Sequence, residues 1–408
     1  MSLSAISGYL LQSESHEIIK IVVGSPLLFN LQVYFVIIVG LILSKRESRD
    51  DFFGRGLTDT AKGLAIFGII VQHLCWHAVS DQQALATFKY LGTKGVAVFL
   101  ILSGYGLSSS YFRSGMKNFF KKKLLKIYVV FLIANLILMS VEVMLFSSPI
   151  STIDFIKQAT GIKTVDINYW FINFLFFWYL TFFIVYNLQT DTSVKIIVLF
   201  LCSLFVVFSE DMTPNAKLNL LSFPAGVLMF EYKDRMHSFV KAINVRKSLL
   251  PVSLFVAGVI VYGGVETWID RHLYIYLMFF VVASLIYVFY RPPVVEFASC
   301  LVVLFIGCSF AYSSQVSDSM WYSVKNVAIS GLALLVLQKM YASRSSFLFS
   351  FLGRHSLELF LVHGFFMYSH DYILYKGDLT ITFWIYLLII SVLSVMIKKL
   401  AAGIVRLA

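Results

Sequence analysis

Residues 124–146 read LLKIYVVFLIANLILMSVEVMLF, an apolar run long enough to cross a lipid bilayer as a helix. The rest of the chain has the same character, since 59% of its 408 residues are hydrophobic and only 13% are charged. Soluble domains carry about 25% charged residues. The composition therefore excludes a water-soluble globule and a disordered chain, and it predicts an all-α, polytopic bundle of transmembrane helices with about 11–13 spans.

Apolar stretches of this kind recur along the chain with polar loops between them. No internal repeat or soluble domain separates these stretches, so we expect a single membrane-embedded array of helices. The candidate spans are 18–43, 61–79, 93–112, 124–146, 168–187, 194–208, 216–231, 249–264, 271–290, 294–313, 323–341, 355–370 and 380–401.

The distribution of basic residues predicts the orientation. When the loops are assigned alternately to the two sides of the membrane, 24 of the 33 Lys and Arg residues fall on one side. Cytoplasmic loops carry such an excess, so we expect the N-terminus outside and the C-terminus in the cytoplasm. The net charge of +11 then reflects this bias and contacts with membrane lipids, with no nucleic acid as a partner.

The second candidate span carries two histidines inside an apolar run. His73 follows Lys62 by eleven residues, which corresponds to about 16 Å along a helix axis, near the middle of the bilayer. An ionisable residue at that depth faces a bundle interior or a wet cavity. His77 lies one turn further on the same face, and Gln72 adds a third polar group. This pattern favours a functional site over a single hydrogen-bonded imidazole.

Two further spans carry polar groups at depth. Ser103 and Gly104 lie within the third span, where small residues indicate either close helix packing or the wall of a narrow tunnel. His363 follows Arg354 by nine residues, about 14 Å from the predicted cytoplasmic end of its span. The four cysteines form no pair with metal-binding spacing, so no metal is expected.

A dense cluster of basic residues follows the third span. Its six members lie within fourteen residues that include no acid: Arg113, Lys117, Lys121, Lys122, Lys123 and Lys126. Such a cluster is typical of an anchor for anionic lipid headgroups. It is also suited to a polyphosphate ligand, because each lysine binds phosphate as a point charge.

The fifth span begins with a group of aromatic residues on the predicted outer side. Trp170, Trp178 and Tyr179 fit an aromatic belt at the membrane interface. They also offer flat faces to a sugar ring, with Asn173 as a hydrogen-bonding neighbour, so both interpretations stay open.

Four of these features occur in an order that resembles a known family. Lys62 with His73, then the run from Gly95 through Ser103 to Tyr105, the basic residues Lys121–Lys126, and finally Ser356–His363 are similar to the acyltransferase 3 family of multi-pass membrane acyltransferases. The resemblance makes residues 58–402 the acyltransferase-like membrane domain. Residues 1–57 are then an extra N-terminal helix with a basic loop.

The resemblance implies transfer of an acyl group, commonly acetyl, from cytoplasmic acetyl-CoA to a hydroxyl of a surface glycan. His73 would act either as a general base or as a covalent acyl carrier, with Lys62, His363 and Ser103 as further catalytic candidates. The basic cluster would hold the CoA phosphates, and Trp170, Asn173, Trp178, Tyr179 and His77 the glycan acceptor. The alternative from the residues alone is a transporter or flippase of a lipid-linked or anionic sugar.

Overall fold

The computed structural model is predominantly helical over the residues that it describes. These are residues 23–46, 51–77, 84–85, 88–89, 91–146, 151–159, 167–208, 212–243, 319–341, 343–369, 373–374 and 376–407. Three of the predicted spans, 249–264, 271–290 and 294–313, lie outside the described residues. Each of the other predicted spans overlaps a helix.

The described residues form fourteen α-helices. In chain order they are α1 (Pro26–Ile42), α2 (Arg55–His77), α3 (Leu91–Ser114), α4 (Lys126–Phe146), α5 (Thr152–Ala159), α6 (Trp170–Tyr186), α7 (Thr192–Phe208), α8 (Pro214–Lys217), α9 (Ser222–Glu231), α10 (Lys233–Ala242), α11 (Ser319–Tyr341), α12 (Phe347–Arg354), α13 (Ser356–His363) and α14 (Leu379–Leu407). A π-helical turn (Phe120–Leu125) precedes α4, and a second (Phe365–Ser369) follows α13.

The membrane character of the fold rests on three of these helices. The segments Leu91–Ser114, Lys123–Met144 and Leu379–Ile404 are long and apolar enough to cross a bilayer, among the residues that the structure describes. Shorter apolar helices include Pro26–Ile42 and Trp170–Tyr186. The chain is therefore a helical membrane protein, whereas its number of spans and its orientation stay predictions.

Three polar segments that were predicted as loops contain helices. Residues 147–167 include α5, residues 232–248 include α10, and residues 339–354 include α12. Helix α12 forms because Ser346 caps it, with the Ser346 Oγ accepting the Phe349 N–H at 3.0 Å, and because the Phe349 ring is buried. The amphipathic run at 347–354 is only two turns long, so its apolar face was too short to stand out from the sequence.

A short β-ribbon departs from the predicted all-α fold. Strand β1 (Ser44–Arg46) pairs antiparallel with β2 (Arg344–Ser346), with Ser44 opposite Ser346. The pairing joins the end of α1 to the start of α12 across about 300 residues of chain. This ribbon fixes where α12 begins, and it was not predictable because each strand spans only three residues.

Helix α1 packs into the bundle although it precedes the acyltransferase-like region. The ring of Phe29 meets Phe383 of α14 edge-on at 5.6 Å, and Trp384 Nε1 donates to Gln32 Oε1 at 3.2 Å. At its other end, the Ser346 hydroxyl donates to the Gly40 carbonyl at 2.5 Å. The N-terminal helix is thus part of the same core as α12 and α14.

Candidate active site

Two buried histidines from distant parts of the chain meet inside the bundle. His73 lies near the end of α2, and His363 is the last residue of α13. Nε2 of His363 lies 3.4 Å from Nδ1 of His73, and the ring centroids are 5.1 Å apart with the planes inclined by 55°. His363 has no solvent exposure and His73 is half-buried. The two imidazoles therefore form a pair that is sheltered on the His363 side and accessible on the His73 side.

The end of α13 is held by hydrogen bonds to its backbone. The Tyr386 hydroxyl donates to the His363 carbonyl at 2.6 Å, and the Tyr169 hydroxyl donates to the Leu361 carbonyl at 3.0 Å. The last carbonyls of a helix need partners beyond the helix itself. Two tyrosines from other elements supply them here, and they fix the position of the His363 backbone.

The His363 ring also has a contact within its own helix. Its Nδ1 lies 2.8 Å from the Phe360 carbonyl oxygen, one turn earlier. This carbonyl orients the ring. The partner is a backbone atom, so no sequence pattern could have revealed it.

The residue before His73 joins α2 to the start of α3. This residue, Gln72, is buried and accepts the Gly92 N–H at 2.6 Å and the Thr93 N–H at 3.3 Å through Oε1. These N–H groups begin α3 and have no partner within the helix. Gln72 therefore caps α3, which accounts structurally for the polar group next to His73.

Several charged residues meet at the other end of α2. Asp59 lies within electrostatic range of Lys62, Arg354 and Lys398, and its carboxylate is 3.9 Å from Arg55 Nε. Glu358 is buried and interacts with Lys398 and Lys126. The Lys398 ammonium also donates to the Arg354 carbonyl. We call this group the charged layer: Arg55, Asp59, Lys62, Lys126, Arg354, Glu358 and Lys398.

The charged layer and the histidine pair share two helices. Lys62 and His73 are separated by eleven residues of continuous α-helix, about 16 Å along its axis. Glu358 and His363 lie in the first and last turns of α13. The bundle thus places the charged layer on one side of the imidazoles. Lys398 was missed in the sequence, because a basic residue at the end of an apolar run is typical of a simple interfacial anchor. Asp59 was missed because no sequence pattern set it apart.

The predicted basic cluster is largely exposed. Arg113, Lys117 and Lys121 are exposed, Lys123 is half-buried, and the Lys122 side chain lies outside the described residues. Lys126 is exposed as well, yet it interacts electrostatically with Glu358. This lysine links the surface cluster to the charged layer.

Ser103 and Gly104 lie at contacts between helices. The Ser103 side chain lies near the Tyr179 side chain of α6 and interacts with it. A Cβ atom on Gly104 would collide with the Phe223 carbonyl oxygen of α9. The region therefore shows close helix packing, the first of the two interpretations that the small residues allowed.

The aromatic residues predicted to bind sugar point in different directions along α6. Trp178 is fully buried and stacks on Phe223, with centroids 5.1 Å apart and planes inclined by 11°. Asn173 is exposed, and Trp170 is half-buried beside Phe171. The His77 side chain lies outside the described residues. Among the described side chains, the structure does not gather Trp170, Asn173 and Trp178 into a single surface.

The part of the chain that the structure describes contains no group of three or more His, Cys, Asp or Glu side chains that could hold a metal ion. A family model described as an acyltransferase domain, acyltransferase 3, matches residues 58–398. No curated protein and no solved structure matches the chain.

Proposed function

This chain belongs to the acyltransferase 3 family, and we propose that it moves an acetyl group from cytoplasmic acetyl-CoA to a hydroxyl of a cell-surface or lipid-linked polysaccharide. Membership of this family supports the broader conclusion that the protein is a membrane acyltransferase. The donor, the acceptor and the bacterial inner membrane are our proposal. The observation that carries it is the contact between His73 and His363, because a buried imidazole pair is suited to moving a proton within the bundle.

Two mechanisms are open for His73, as a general base and as a carrier of the acetyl group. In the direct mechanism, His73 removes the proton from the sugar hydroxyl as its oxygen attacks the thioester carbonyl carbon. The carbon–sulfur bond breaks, and the CoA thiolate receives the proton to leave as free CoA. In the two-step mechanism, a ring nitrogen of His73 attacks the thioester carbonyl carbon, and the carbon–sulfur bond breaks to release the CoA thiolate. The sugar oxygen then attacks the acetyl carbon, the bond to His73 breaks, and the hydroxyl proton passes to the thiolate, so that CoA leaves as the free thiol. Both mechanisms place the reacting carbonyl next to His73.

The charged layer supports acyl-CoA as the donor. CoA carries several phosphates at one end of a long thin arm, and phosphates bind lysine and arginine. Lys62 lies on α2, the helix that carries His73. Arg354 is the last residue of α12, directly before α13, the helix that carries His363. The exposed basic residues at 113–126 extend this positive region to the surface. The distance of about 16 Å from Lys62 to His73 leaves room for the pantetheine arm.

The positive-inside bias supports the direction of transfer. Most basic residues, including the cluster at 113–126, lie on the side predicted to be cytoplasmic, where acetyl-CoA is available. A polar glycan does not cross the hydrocarbon core, so it would meet the acetyl group from the outer side. His73, on the accessible side of the imidazole pair, would lie between donor and acceptor.

The experiment compares the surface polysaccharide of the host cell with the gene intact, with the gene deleted, and with His73→Ala. Mass spectrometry and NMR of the purified glycan should show acetyl esters only in the cells with the intact gene. Membrane fractions should contain equal amounts of both forms of the protein. Identical acetylation in all three strains would refute the proposal. Loss of the whole polysaccharide from the surface on deletion would instead favour the transporter or flippase.

A further inference from the structure

The contacts of the histidine pair define which nitrogen of each ring carries a proton. A neutral imidazole has one N–H donor and one acceptor nitrogen. Nδ1 of His363 faces the Phe360 carbonyl oxygen at 2.8 Å, and a carbonyl can only accept. The proton of His363 therefore resides on Nδ1, and its Nε2 bears the lone pair.

The protonated nitrogen of His73 follows from that of His363. Nε2 of His363 lies 3.4 Å from Nδ1 of His73. Since the His363 nitrogen is an acceptor, the Nδ1 of His73 must be the donor. His73 then bears its lone pair on Nε2, on the edge of the ring away from Nδ1. The chain of groups runs from the Phe360 carbonyl through His363 to His73.

We infer that His363 is a positioning residue that holds His73 in the Nδ1–H tautomer, so that Nε2 of His73 is the nitrogen that reacts. This inference rests on the proposed function, because it assigns the reacting atom of His73. When Nε2 takes a proton or an acetyl group, His73 becomes cationic, and Nε2 of His363 accepts the strengthened Nδ1–H hydrogen bond. His363 is therefore not a donor for the oxyanion of the reacting thioester.

A neutral partner suits this location better than an acid. Holding a carboxylate at membrane depth is energetically expensive. The Phe360 carbonyl and the His363 ring give the same orientation without a fixed charge. The tyrosine hydroxyls on the carbonyls of Leu361 and His363 keep the helix end, and with it the acceptor nitrogen, in place.

The test uses three replacements at one position in the full-length protein. His363→Gln keeps an acceptor oxygen near the place of Nε2, whereas His363→Asn keeps a polar group only near the place of Nδ1. His363→Leu removes both contacts. His237→Leu on α10 serves as the control for loss of a histidine elsewhere in the chain.

We expect the Leu and Asn variants to lose about 10- to 100-fold in kcat, by analogy with the cost of removing a partner that orients a metal-binding histidine. The KM for acetyl-CoA should stay unchanged, and the Gln variant should recover most of kcat. Solid-state ¹⁵N spectra should show His73 protonated at Nδ1 in the unaltered protein and a mixture of tautomers in His363→Leu. These spectra need no turnover, so they test the inference even where the acceptor glycan is unknown.

Several outcomes would overturn the inference. One is an unaltered kcat in His363→Leu, and another is equal activity of the Asn and Gln variants. A spectrum with the His73 proton on Nε2 would do so as well. These outcomes leave the proposed function intact as long as His73→Ala is inactive, whereas an active His73→Ala would count against the role of His73 itself. Unfolding temperatures of all variants separate misfolding from loss of orientation.

Discussion

Gly63 of α2 and Gly353 of α12 lie against each other, so that a Cβ atom on Gly353 would come within 3.0 Å of the Gly63 nitrogen. The same Cβ would collide with the Asp59 carbonyl oxygen, and a Cβ on Gly63 would collide with the Phe349 carbonyl oxygen. Backbone therefore touches backbone at this crossing. Because α13 begins directly after α12, the crossing determines how far His363 stands from His73.

Gly353→Ala should consequently impair both stability and activity. The added methyl group meets backbone atoms that cannot rotate away, so α2 and α12 must separate. Overpacking of this kind costs about 1–3 kcal/mol. We expect a lower unfolding temperature in detergent and a fall in acetyl transfer larger than the unfolded fraction explains.

Gly106→Ala is the matched control for that substitution. Gly106 lies on an exposed position of α3, and a Cβ atom there would meet nothing within 4 Å. Alanine in a helix interior is favoured over glycine by about 0.5–1 kcal/mol. This variant should be at least as stable as the unaltered protein, and equal damage from both substitutions would refute the role of the crossing.

Glu358 and Lys398 should show measurable energetic coupling. Glu358 is only 4% exposed, and Lys398 is the cation that interacts with it most strongly. Removing either partner therefore leaves the charge of the other without compensation. We expect Glu358→Gln and Lys398→Met each to lower stability, and the double variant to lose at least about 0.5 kcal/mol less than the sum. The cycle is measured by thermal unfolding. Exposed Lys399, replaced by Met in a parallel cycle, should show no coupling to Glu358.

The sequence predicted the helices that are long and apolar, because their composition alone determines them. Residues 124–146 and 380–401 correspond to α4 and α14 within a few residues. It did not predict α12 or the β-ribbon, whose stability depends on partners far away in the chain. The Phe349 ring is buried against Gly40 of α1 and Phe67 of α2, and its carbonyl oxygen touches Gly63. None of these contacts has a local signature.

The candidate site shows the same division. His73 and His363 stood out because an ionisable group at membrane depth requires a reason. Their direct contact could not be predicted, since it depends on the crossing of α2 with α12. Trp178 illustrates the opposite case: an aromatic residue in an apolar helix is suited equally to a sugar and to a core. The stacking on Phe223 favours the core.

Ser103 and Tyr179 provide a test of whether the polar groups of α3 contribute only to packing. Their side chains interact; if they share a hydrogen bond, Ser103→Ala and Tyr179→Phe should each lower stability by about 1 kcal/mol. The double variant should lose no more than either single one, as judged by unfolding temperature. A fall of kcat by 100-fold or more in Ser103→Ala, with unaltered stability, would instead make Ser103 an oxyanion donor.

The basic residues Lys121–Lys123 distinguish a donor site from a lipid anchor. If they attract the CoA phosphates, replacing all three by Ala should raise the Kd for acetyl-CoA roughly tenfold at low salt, and added salt should shrink the difference because exposed charges are screened. Titration calorimetry in nanodiscs of zwitterionic lipid measures this without competition from anionic headgroups. The control replaces three other exposed basic residues by Ala, which removes the same charge elsewhere on the protein: Lys45, Arg46 and Arg235. An equal effect of both triple variants would mean that total charge, and not this cluster, attracts the donor; no effect of either would leave the cluster as an anchor.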